Sequence, residues 1–327
     1  MSALGEFDLI ARYFTRTPKR ATLGVGDDCA LLAPLPAGQQ LAVSSDMLVE
    51  GRHFLSTVAP DRLGHKALAV NLSDLAACGA EPIAFTLALA MPSVDKSFLE
   101  GFARGLFALA DEHTIELVGG DTTAGPLNIC VTVFGAVPVG QALLRSGAQA
   151  GDELWVSHSV AAGVGDARLA LEVFRGAVAL AGDQFESVRM RMERPTPRVA
   201  LGIALRGMAS AAIDLSDGLV GDLGHVLARS GVGATLDADA VPRSAVLASQ
   251  SRALQYECAL AGGDDYELLF SAPPGRERDV RAAAAQARVS VTRIGRIEAA
   301  PGLRIVDGQG APLDLRLAAF DHFRVDA

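Results

Sequence analysis

The chain has 327 residues, half of them apolar, which is enough for two domains with sizeable cores. Its net charge of −9, without any dense block of Lys and Arg, argues against a nucleic-acid partner. No uninterrupted apolar stretch reaches membrane-spanning length, and four scattered cysteines favour reduced thiols, so we expect a soluble, cytoplasmic protein with no membrane partner.

The first half alternates predicted strands and helices. An apolar run at 41–43 predicts a short strand that ends in Ser44-Ser45-Asp46. The other predicted elements of this half are a helix at 61–78, a strand at 83–90, a helix at 98–112, and strands at 115–118 and 128–137. We therefore expect an α/β domain over residues 1–140.

A segment with turn residues and no strong period, 138–151, predicts a domain junction. After it, strands are predicted at 154–157, 211–215, 266–271 and 289–297, and helices at 166–174, 197–206, 219–230 and 275–287. This alternation predicts a second α/β domain over residues 150–327.

Six short segments place acidic side chains where a backbone turn would present them. They are residues 26–28, 44–46, 71–74, 119–121, 214–218 and 262–267. Small residues flank each segment, so we expect these carboxylates at strand ends and helix starts. Two carboxylates about 4 Å apart repel by roughly 4 kcal/mol at an effective dielectric near 20, so converging carboxylates would shift their pKa values or bind a divalent cation. The pattern favours an enzyme that acts on phosphates with Mg²⁺.

Each of these segments in the first half also has a purely structural interpretation. The pair at 27–28 is either a turn cap or a ligand, and Ser44-Ser45-Asp46 is either an oxygen-only cation site or a polar strand end. Asp74 shares a helix face with Asn71, so it is either buried with partners or open to a cleft.

The remaining motifs also allow either a functional or a purely structural interpretation. The 119–121 segment suits a phosphate beside a metal or a tight turn capped by Asp. At a predicted strand-to-helix junction, Ser216 and Asp217 suit either an N-cap or a phosphate and metal site. Arg145 is a candidate phosphate clamp or a solvated loop residue, and His53 a substrate contact or an ordinary packed histidine.

Residues 24–28 are glycine-rich, but two known phosphate-binding motifs are excluded there. The segment lacks the third glycine of a dinucleotide fingerprint and the Lys-Ser/Thr of a P-loop. None of the three lysines of the chain follows a glycine in the Walker pattern. Any ATP phosphates would therefore have to be neutralised by Mg²⁺ and arginine.

In their order along the chain, several segments together closely resemble the thiamine-monophosphate kinase family. They are residues 24–30, 45–54, 71–82, 119–123, 214–218, 263–268 and the terminal 321–323. The resemblance implies a two-domain α/β fold with mixed sheets, like that of aminoimidazole-ribotide synthetase, whose N-terminal domain dimerises through its sheet into a homodimer. It also implies direct phosphoryl transfer from ATP to thiamine monophosphate, which gives thiamine diphosphate, the last step of that cofactor's biosynthesis.

The resemblance also assigns roles to individual residues. Several Mg²⁺ ions would be held by Asp27, Ser44, Ser45, Asp46, Asp74, Asp121, Asp214 and Asp217. ATP would be contacted by His113, Gly120, Asp121, Arg145 and Ser216, and thiamine monophosphate by His53, Asp264 and Phe320. The residues expected to carry the transfer itself are Asp46, Asp74, Asp121, Arg145 and Asp217.

Three of these positions depart from the family pattern. Phe320 stands where the family usually has Trp, Asp264 where Glu is common, and His113 where an aromatic residue such as Tyr is usual. None of them is one of the expected metal ligands, so we expect activity to persist.

Two alternatives remain at this point. One is another ATP-using enzyme of the same superfamily, such as an aminoimidazole-ribotide or selenophosphate synthetase. The lack of any cysteine before Cys29 or after Cys258 disfavours the selenophosphate and hydrogenase-maturation relatives. The other is a divalent-metal-binding protein without turnover.

Overall fold

The computed structural model describes residues 5–315. The chain divides into two compact units, one within Met1–Leu75 and Ala80–Gly140, the other within Ala76–Gly79 and Gln141–Ala327. Over residues 5–315, no helix is both long and apolar enough to cross a bilayer.

Ten α-helices and ten strands are found among these residues. The helices are α1 Glu6–Tyr13, α2 Pro60–Ala77, α3 Lys96–Glu112, α4 Asp166–Phe174, α5 Gly182–Glu193, α6 Val199–Ala204, α7 Leu219–Ser230, α8 Ala245–Ala248, α9 Arg252–Tyr256 and α10 Glu277–Gln286, and a π-helical turn covers Glu257–Ala261. The strands are β1 Gln39–Val49, β2 Glu81–Met91, β3 Glu116–Ala124, β4 Asn128–Pro138, β5 Glu153–His158, β6 Ala211–Asp214, β7 Gly233–Asp237, β8 Leu268–Ala272, β9 Ser290–Glu298 and β10 Gly302–Val306.

The first unit is built on a four-stranded sheet with strand order β1-β4-β2-β3. Strand β4 pairs antiparallel with both β1 and β2, whereas β2 and β3 are parallel. Helix α3 connects the two parallel strands, as a crossover connection must. The outer strands β1 and β3, which carry most of the predicted site residues of this unit, therefore lie at opposite edges of the sheet.

Helices α2 and α3 pack backbone to backbone through glycines. A Cβ on Gly64 would stand 2.0 Å from the Phe102 carbonyl oxygen, and one on Gly105 would stand 1.8 Å from that of Asp61. No larger residue fits at either position without moving a helix. This close packing fixes the position of α2, which carries Asn71 and Asp74, relative to α3.

The second unit contains a six-stranded mixed sheet with order β10-β7-β9-β5-β8-β6. Only the β7–β10 pair is parallel; the other pairs are antiparallel. Strands β5 and β8 are the most buried of the inner strands, and Trp155 on β5 is fully enclosed. Two mixed sheets with helices confirm the predicted α/β class.

Two predicted strand ends are wrong. Residues 44–46 lie in the middle of β1, where they pair with 131–133 of β4, and residues 119–121 lie within β3, paired with β2. The polar residues resembled a strand end in the sequence, but the pairing with β4 and β2 continues past them. The acidic groups at these places therefore project from strands, not from turns.

Candidate functional site

The first cluster of predicted site residues joins β1 to α2. The Ser44 hydroxyl donates a 2.5 Å hydrogen bond to Oδ2 of Asp74. Two residues along, the Asp46 N–H donates to Oδ1 of Asn71 at 3.0 Å, and the Asn71 amide donates back to Ala67 of its own helix. Asn71 is 1% exposed, so its orientation is fixed. Ser44, Asp46 and Asp74 are thus brought together on the helix-covered face of the sheet.

Ser45 lies on the other face of the sheet, because successive side chains of a strand point to opposite sides. Its hydroxyl is 2.9 Å from that of Thr132 and donates to the Val131 carbonyl at 3.2 Å. The three residues Ser44-Ser45-Asp46 therefore do not present their side chains to one ion together.

The β3 residues Gly120 and Asp121 are in register with the β1 cluster but not beside it. Asp46 pairs with Val131, which pairs with Leu87, which pairs with Gly120. Three strand spacings of about 4.8 Å put β1 and β3 roughly 14 Å apart along the sheet. Asp121 lies one residue further, on the face of Ser45, so the structure does not bring it to Asp46 within this sheet.

Gly120 lies at a close approach between β3 and its neighbour β2. Its φ is 152°, and a Cβ there would stand 1.8 Å from the Leu87 carbonyl oxygen. Only glycine fits between the two strands at this position.

Asp27 and His53 lie in loops of the first unit. Asp27 is exposed, and its Oδ1 accepts the N–H of Asp28 at 2.9 Å. Nδ1 of His53 accepts the N–H of Val49 at 3.0 Å, which fixes the neutral ring as the Nε2–H tautomer. His53 therefore presents a hydrogen-bond donor at Nε2.

His113 ends α3 and precedes β3. Burial lowers the pKa of its ring, a shift that the charge of Glu112 partly offsets. A ring kept neutral suits contact with a nucleotide base better than contact with a phosphate.

In the second unit, the turn between β6 and α7 contains Asp214, Ser216 and Asp217. Of the two interpretations left open for Ser216 and Asp217, the N-cap is excluded, because Gly218, with φ 105°, occupies the N-cap of α7 and no side-chain hydrogen bond caps the helix. The N–H groups of Ser216 and Asp217 instead donate to Oδ2 of Asp222, at 3.1 and 3.2 Å. The side chains of Ser216 and Asp217 are therefore available for a ligand.

Asp222 is a member of this cluster that the sequence interpretation missed. It is 2% exposed, and burial, together with the charges of Asp214 and Asp217, raises its pKa to about 8. An aspartate inside the apolar first turn of a helix that follows two other aspartates is the signal that could have revealed it. Burial first, and the neighbouring charges of Asp214 and Asp217 second, thus favour the protonated form of this third carboxyl group.

A second loop pairs with this turn through the main chain. Asp264 N–H donates to the Ser216 carbonyl and Tyr266 N–H to that of Leu215, both at 2.8 Å. A Cβ on Gly263 would stand 2.2 Å from the Ser216 oxygen, so glycine permits the close approach. The motifs 214–218 and 262–267, 44 residues apart in their nearest members, are in this way brought side by side.

Arg145 lies beside the same edge of the sheet. The carbonyl of Leu144 accepts the N–H of Ala212 on β6 at 2.9 Å, and that of Arg145 accepts the Ser230 hydroxyl at 3.2 Å. Its exposed guanidinium forms no ion pair within residues 5–315. Phe320, the remaining predicted substrate contact, lies outside the described residues.

The donor atoms suit Mg²⁺, although the described residues form no dense ligand cage. Among residues 5–315, no three His, Cys, Asp or Glu side chains are grouped as a ready metal site. Mg²⁺ in nucleotide enzymes is usually bound by one or two carboxylates, with water and substrate phosphates completing the shell. The charges of Asp214 and Asp217, which add to burial in raising the pKa of Asp222, place negative charge in the β6–α7 turn that a cation would relieve. The residues present therefore fit Mg²⁺ brought in with a phosphate ligand.

Comparison with known proteins agrees with both units. The family models for the N-terminal and C-terminal domains of AIR synthase related protein match residues 26–137 and 149–308. The chain thus has both domains of this class of protein. A thiamine-monophosphate kinase of Salmonella typhimurium is 45% identical over 329 residues, which cover 98% of this chain and 99% of that protein.

Two solved structures extend the comparison. The thiamine-monophosphate kinase of Stenotrophomonas maltophilia is 46% identical, with a TM-score of 0.83 over 93% of this chain and 95% of that one. A ThiL structure complexed with AMPPCP and TMP is 28% identical, with a TM-score of 0.74 over 89% of this chain and 90% of that one. The chain belongs to the thiamine-monophosphate kinase family, which confirms the resemblance found in the sequence.

Proposed function

We propose that this protein is an ATP-dependent kinase that converts thiamine monophosphate to thiamine diphosphate, by direct in-line transfer of the γ-phosphoryl group. The observation that carries the proposal is the near full-length identity of 45% to a thiamine-monophosphate kinase. A structural relative complexed with AMPPCP and TMP supports both substrates. The reaction would be the last step in making thiamine diphosphate.

The proposed metal ligands fall into one group in each unit. In the first they are Asp27, Ser44, Ser45, Asp46, Asp74 and Asp121, and in the second Asp214 and Asp217. Support comes from their oxygen donors, from the hydrogen-bonded pair Ser44–Asp74 and from the closeness of Asp214 and Asp217 to Asp222, whose pKa they raise further than burial alone does. Because the Ser45 side chain lies on the sheet face opposite to Ser44, Ser45 would have to bind a metal ion on that face or bind one through its main chain. When bound, Mg²⁺ ions would screen the repulsion between the two polyanionic substrates and stabilise the charge on the transferred group.

The residues of this chain would mainly bind and align the substrates. The ATP phosphates would contact Gly120, Ser216 and Arg145 directly and Asp121 through the metal ion that it binds. His113 would lie near the nucleotide. Arg145 is exposed and has no ion pair in the described part of the chain, so its fixed charge is available for a phosphate.

The thiamine phosphate would be contacted by His53, Asp264 and Phe320. His53 can donate from Nε2, because Val49 occupies Nδ1. The acceptor oxygen belongs to a phosphate that is already ionised at neutral pH, so no general base is needed. Catalysis would then rest on alignment and electrostatics.

We also propose a homodimer formed through the first unit, residues 1–140, with residues 150–327 contributing the other phosphate and substrate contacts. Leu41, Val43 and Met47 alternate along β1 on one face and are 48%, 55% and 53% exposed. A row of half-exposed apolar side chains on an edge strand is typical of a surface that another chain covers. Sedimentation of the wild type against Val43→Lys tests this part separately.

Incubation with ATP, Mg²⁺ and thiamine monophosphate, with products separated by chromatography, tests the main proposal. Thiamine diphosphate and ADP should appear in equal amounts, and free thiamine should not replace the monophosphate. Asp217→Asn should be severely impaired, whereas the matched surface change Asp183→Asn, in the first turn of α5, should not. A wild-type protein that forms no thiamine diphosphate contradicts the proposal.

Calorimetry separates the kinase from a metal-binding protein without turnover. The kinase should bind a non-hydrolysable ATP analogue in the presence of Mg²⁺ and much more weakly with EDTA. Cation binding with no effect of the analogue favours the alternative.

A further inference from the structure

The acidic segment 264–267 contains two carboxylates that the proposed chemistry does not use. Asp265 is 3% exposed and Glu267 is fully buried, whereas Asp264 is partly exposed. The two buried groups cannot touch a substrate. Burying ionisable groups is unfavourable unless they are paired, so their partners indicate what they do.

The backbone of this segment is strained. Asp264 and Tyr266 have φ values of 72° and 53°, in the left-handed region that residues with a Cβ rarely adopt. Such a conformation persists only where surrounding contacts impose it, and it is concentrated at functional sites.

Glu267 anchors the segment on its C-terminal side. Its Oε2 accepts from Nε of Arg198 at 2.6 Å and from the Ser157 hydroxyl at 2.6 Å, while its Oε1 accepts from Arg198 and, at 3.0 Å, from Arg191. Burial alone would raise the pKa of Glu267, but the two arginines and these hydrogen bonds outweigh it and lower the pKa. The Glu267 carboxylate is thus ionised, and Arg198 binds both of its oxygens.

Asp265 anchors the segment from the other side of Tyr266. Both of its oxygens lie 3.0 Å from the N–H of Gly165, the residue that precedes α4. Tyr266, with its φ of 53°, is thus held between two buried anchors. Asp264, next to the anchored pair, is thereby directed outward beside Ser216, whose carbonyl its N–H contacts at 2.8 Å.

We propose that Asp265 and Glu267 are positioning residues that hold Asp264 in the left-handed conformation in which it contacts thiamine monophosphate. This rests on the proposed function, in which Asp264 is a substrate contact. The arrangement acts more strongly on the binding of the phosphate acceptor than on that of ATP, because the Asp264 N–H meets Ser216 at its main-chain carbonyl.

Glu267→Gln tests the proposal by kinetics, because glutamine keeps the shape but removes the charge that both arginines bind. KM for thiamine monophosphate should rise at least tenfold, while KM for ATP stays within twofold. The control Glu277→Gln removes the exposed ion pair to Arg281 and should change neither constant. Arg191→Gln, which leaves the Arg198 contact in place, provides a milder variant should Glu267→Gln fail to fold.

A double-mutant cycle separates positioning from a general structural role. Asp264→Ala alone should also raise KM for thiamine monophosphate. Added to Asp264→Ala, the Glu267→Gln change should raise this KM by less than threefold, because the group to be positioned is already absent. A further tenfold rise in the double variant, or an equal rise in KM for ATP, overturns the proposal.

Hydrogen exchange provides a readout that does not depend on activity. The amides of Asp264 and Tyr266, bonded to Ser216 and Leu215, should exchange at least tenfold faster in Glu267→Gln, while those of α7 stay unchanged. Unchanged exchange at both amides overturns the proposal. If exchange behaves as expected but the wild type makes no thiamine diphosphate, the proposed function fails and the role of the two anchors in holding the loop stands.

Discussion

Replacing Gly105 with alanine is expected to force α2 and α3 apart and so disturb the β1–α2 cluster. The new Cβ would stand 1.8 Å from the Asp61 carbonyl oxygen, about 1.6 Å short of the 3.4 Å at which ordinary contact begins. Both groups belong to helix backbones, so no side-chain rotation can relieve the overlap.

The stability cost can be estimated from the overlap. Overpacking a core costs about 1–3 kcal/mol, and the upper end applies here because only a helix can move. Alanine regains up to about 1 kcal/mol of helix propensity over glycine. The net loss of about 2 kcal/mol corresponds to a fall in Tm of roughly 4–8 °C for a protein of this size.

Activity should fall as well, because α2 carries two contacts to β1. A shift of α2 lengthens the Ser44–Asp74 and Asp46–Asn71 hydrogen bonds, now 2.5 and 3.0 Å. Misplacing a positioned group by about 1 Å can cost on the order of a hundredfold in rate. We therefore expect kcat to fall at least tenfold, measured as ADP release at saturating ATP and thiamine monophosphate.

Gly224→Ala is the matched control. Gly224 lies inside α7, where a Cβ would meet nothing within 4 Å, so alanine should raise stability by roughly 0.5–1 kcal/mol through helix propensity alone. If Gly105→Ala and Gly224→Ala both leave Tm and kcat at or above wild-type values, the account of the α2–α3 crossing is wrong.

Three further predictions follow from single groups. Asp74→Asn should lower kcat at least a hundredfold while the circular dichroism spectrum stays native. The amide oxygen still accepts the hydrogen bond from Ser44, but the side chain lacks the charge proposed to bind Mg²⁺. A near-normal rate would remove Asp74 from the metal site. Partial burial raises the pKa of Glu116, but hydrogen bonds from three backbone N–H groups outweigh it and leave the pKa below 4.5. The stabilisation that these hydrogen bonds give the folded protein is therefore present at neutral pH. It is lost as pH falls through the pKa of Glu116 in the folded state. Urea titrations should accordingly show Glu116→Gln less stable than wild type at pH 7, with the difference shrinking below pH 4.5; a difference independent of pH contradicts this. Burial raises the pKa of Cys258 to about 12, so iodoacetamide at pH 8 should label the exposed Cys29 in the native protein and leave Cys258 unmodified, as peptide mass spectrometry would show.

Periodicity predicted the regular elements well where one face is clearly apolar. Helices α4 and α7 begin and end at the residues predicted for them. Three elements were not predicted because none of them carries a long periodic pattern. They are helix α5, which has Arg and Glu along much of its length, and the short strands β7 and β10. The end of β1 was misplaced because polar residues inside a strand look the same in sequence as polar residues after one.

The acidic motifs could be recognised from sequence, but the orientation of each carboxylate could not. Residues 264–267 form one acidic segment in the sequence, yet the structure turns Asp264 outward and buries Asp265 and Glu267. The partners that decide this lie far along the chain: Arg198 is 69 residues from Glu267, and Gly165 is 100 residues from Asp265.

The sequence by itself determined the α/β class and the family, because these depend on local periodicity and on motifs of a few residues, and from the same motifs it predicted a set of oxygen ligands. Only the tertiary structure decided which residues of those motifs are neighbours. Strand pleating sent Ser44 and Ser45 to opposite faces, and strand order put β1 and β3 at opposite edges of one sheet. Packing also buried Asp222 beneath the Ser216–Asp217 turn. Distances between side chains depend on how strands and helices pack, and no local pattern of residues contains that information.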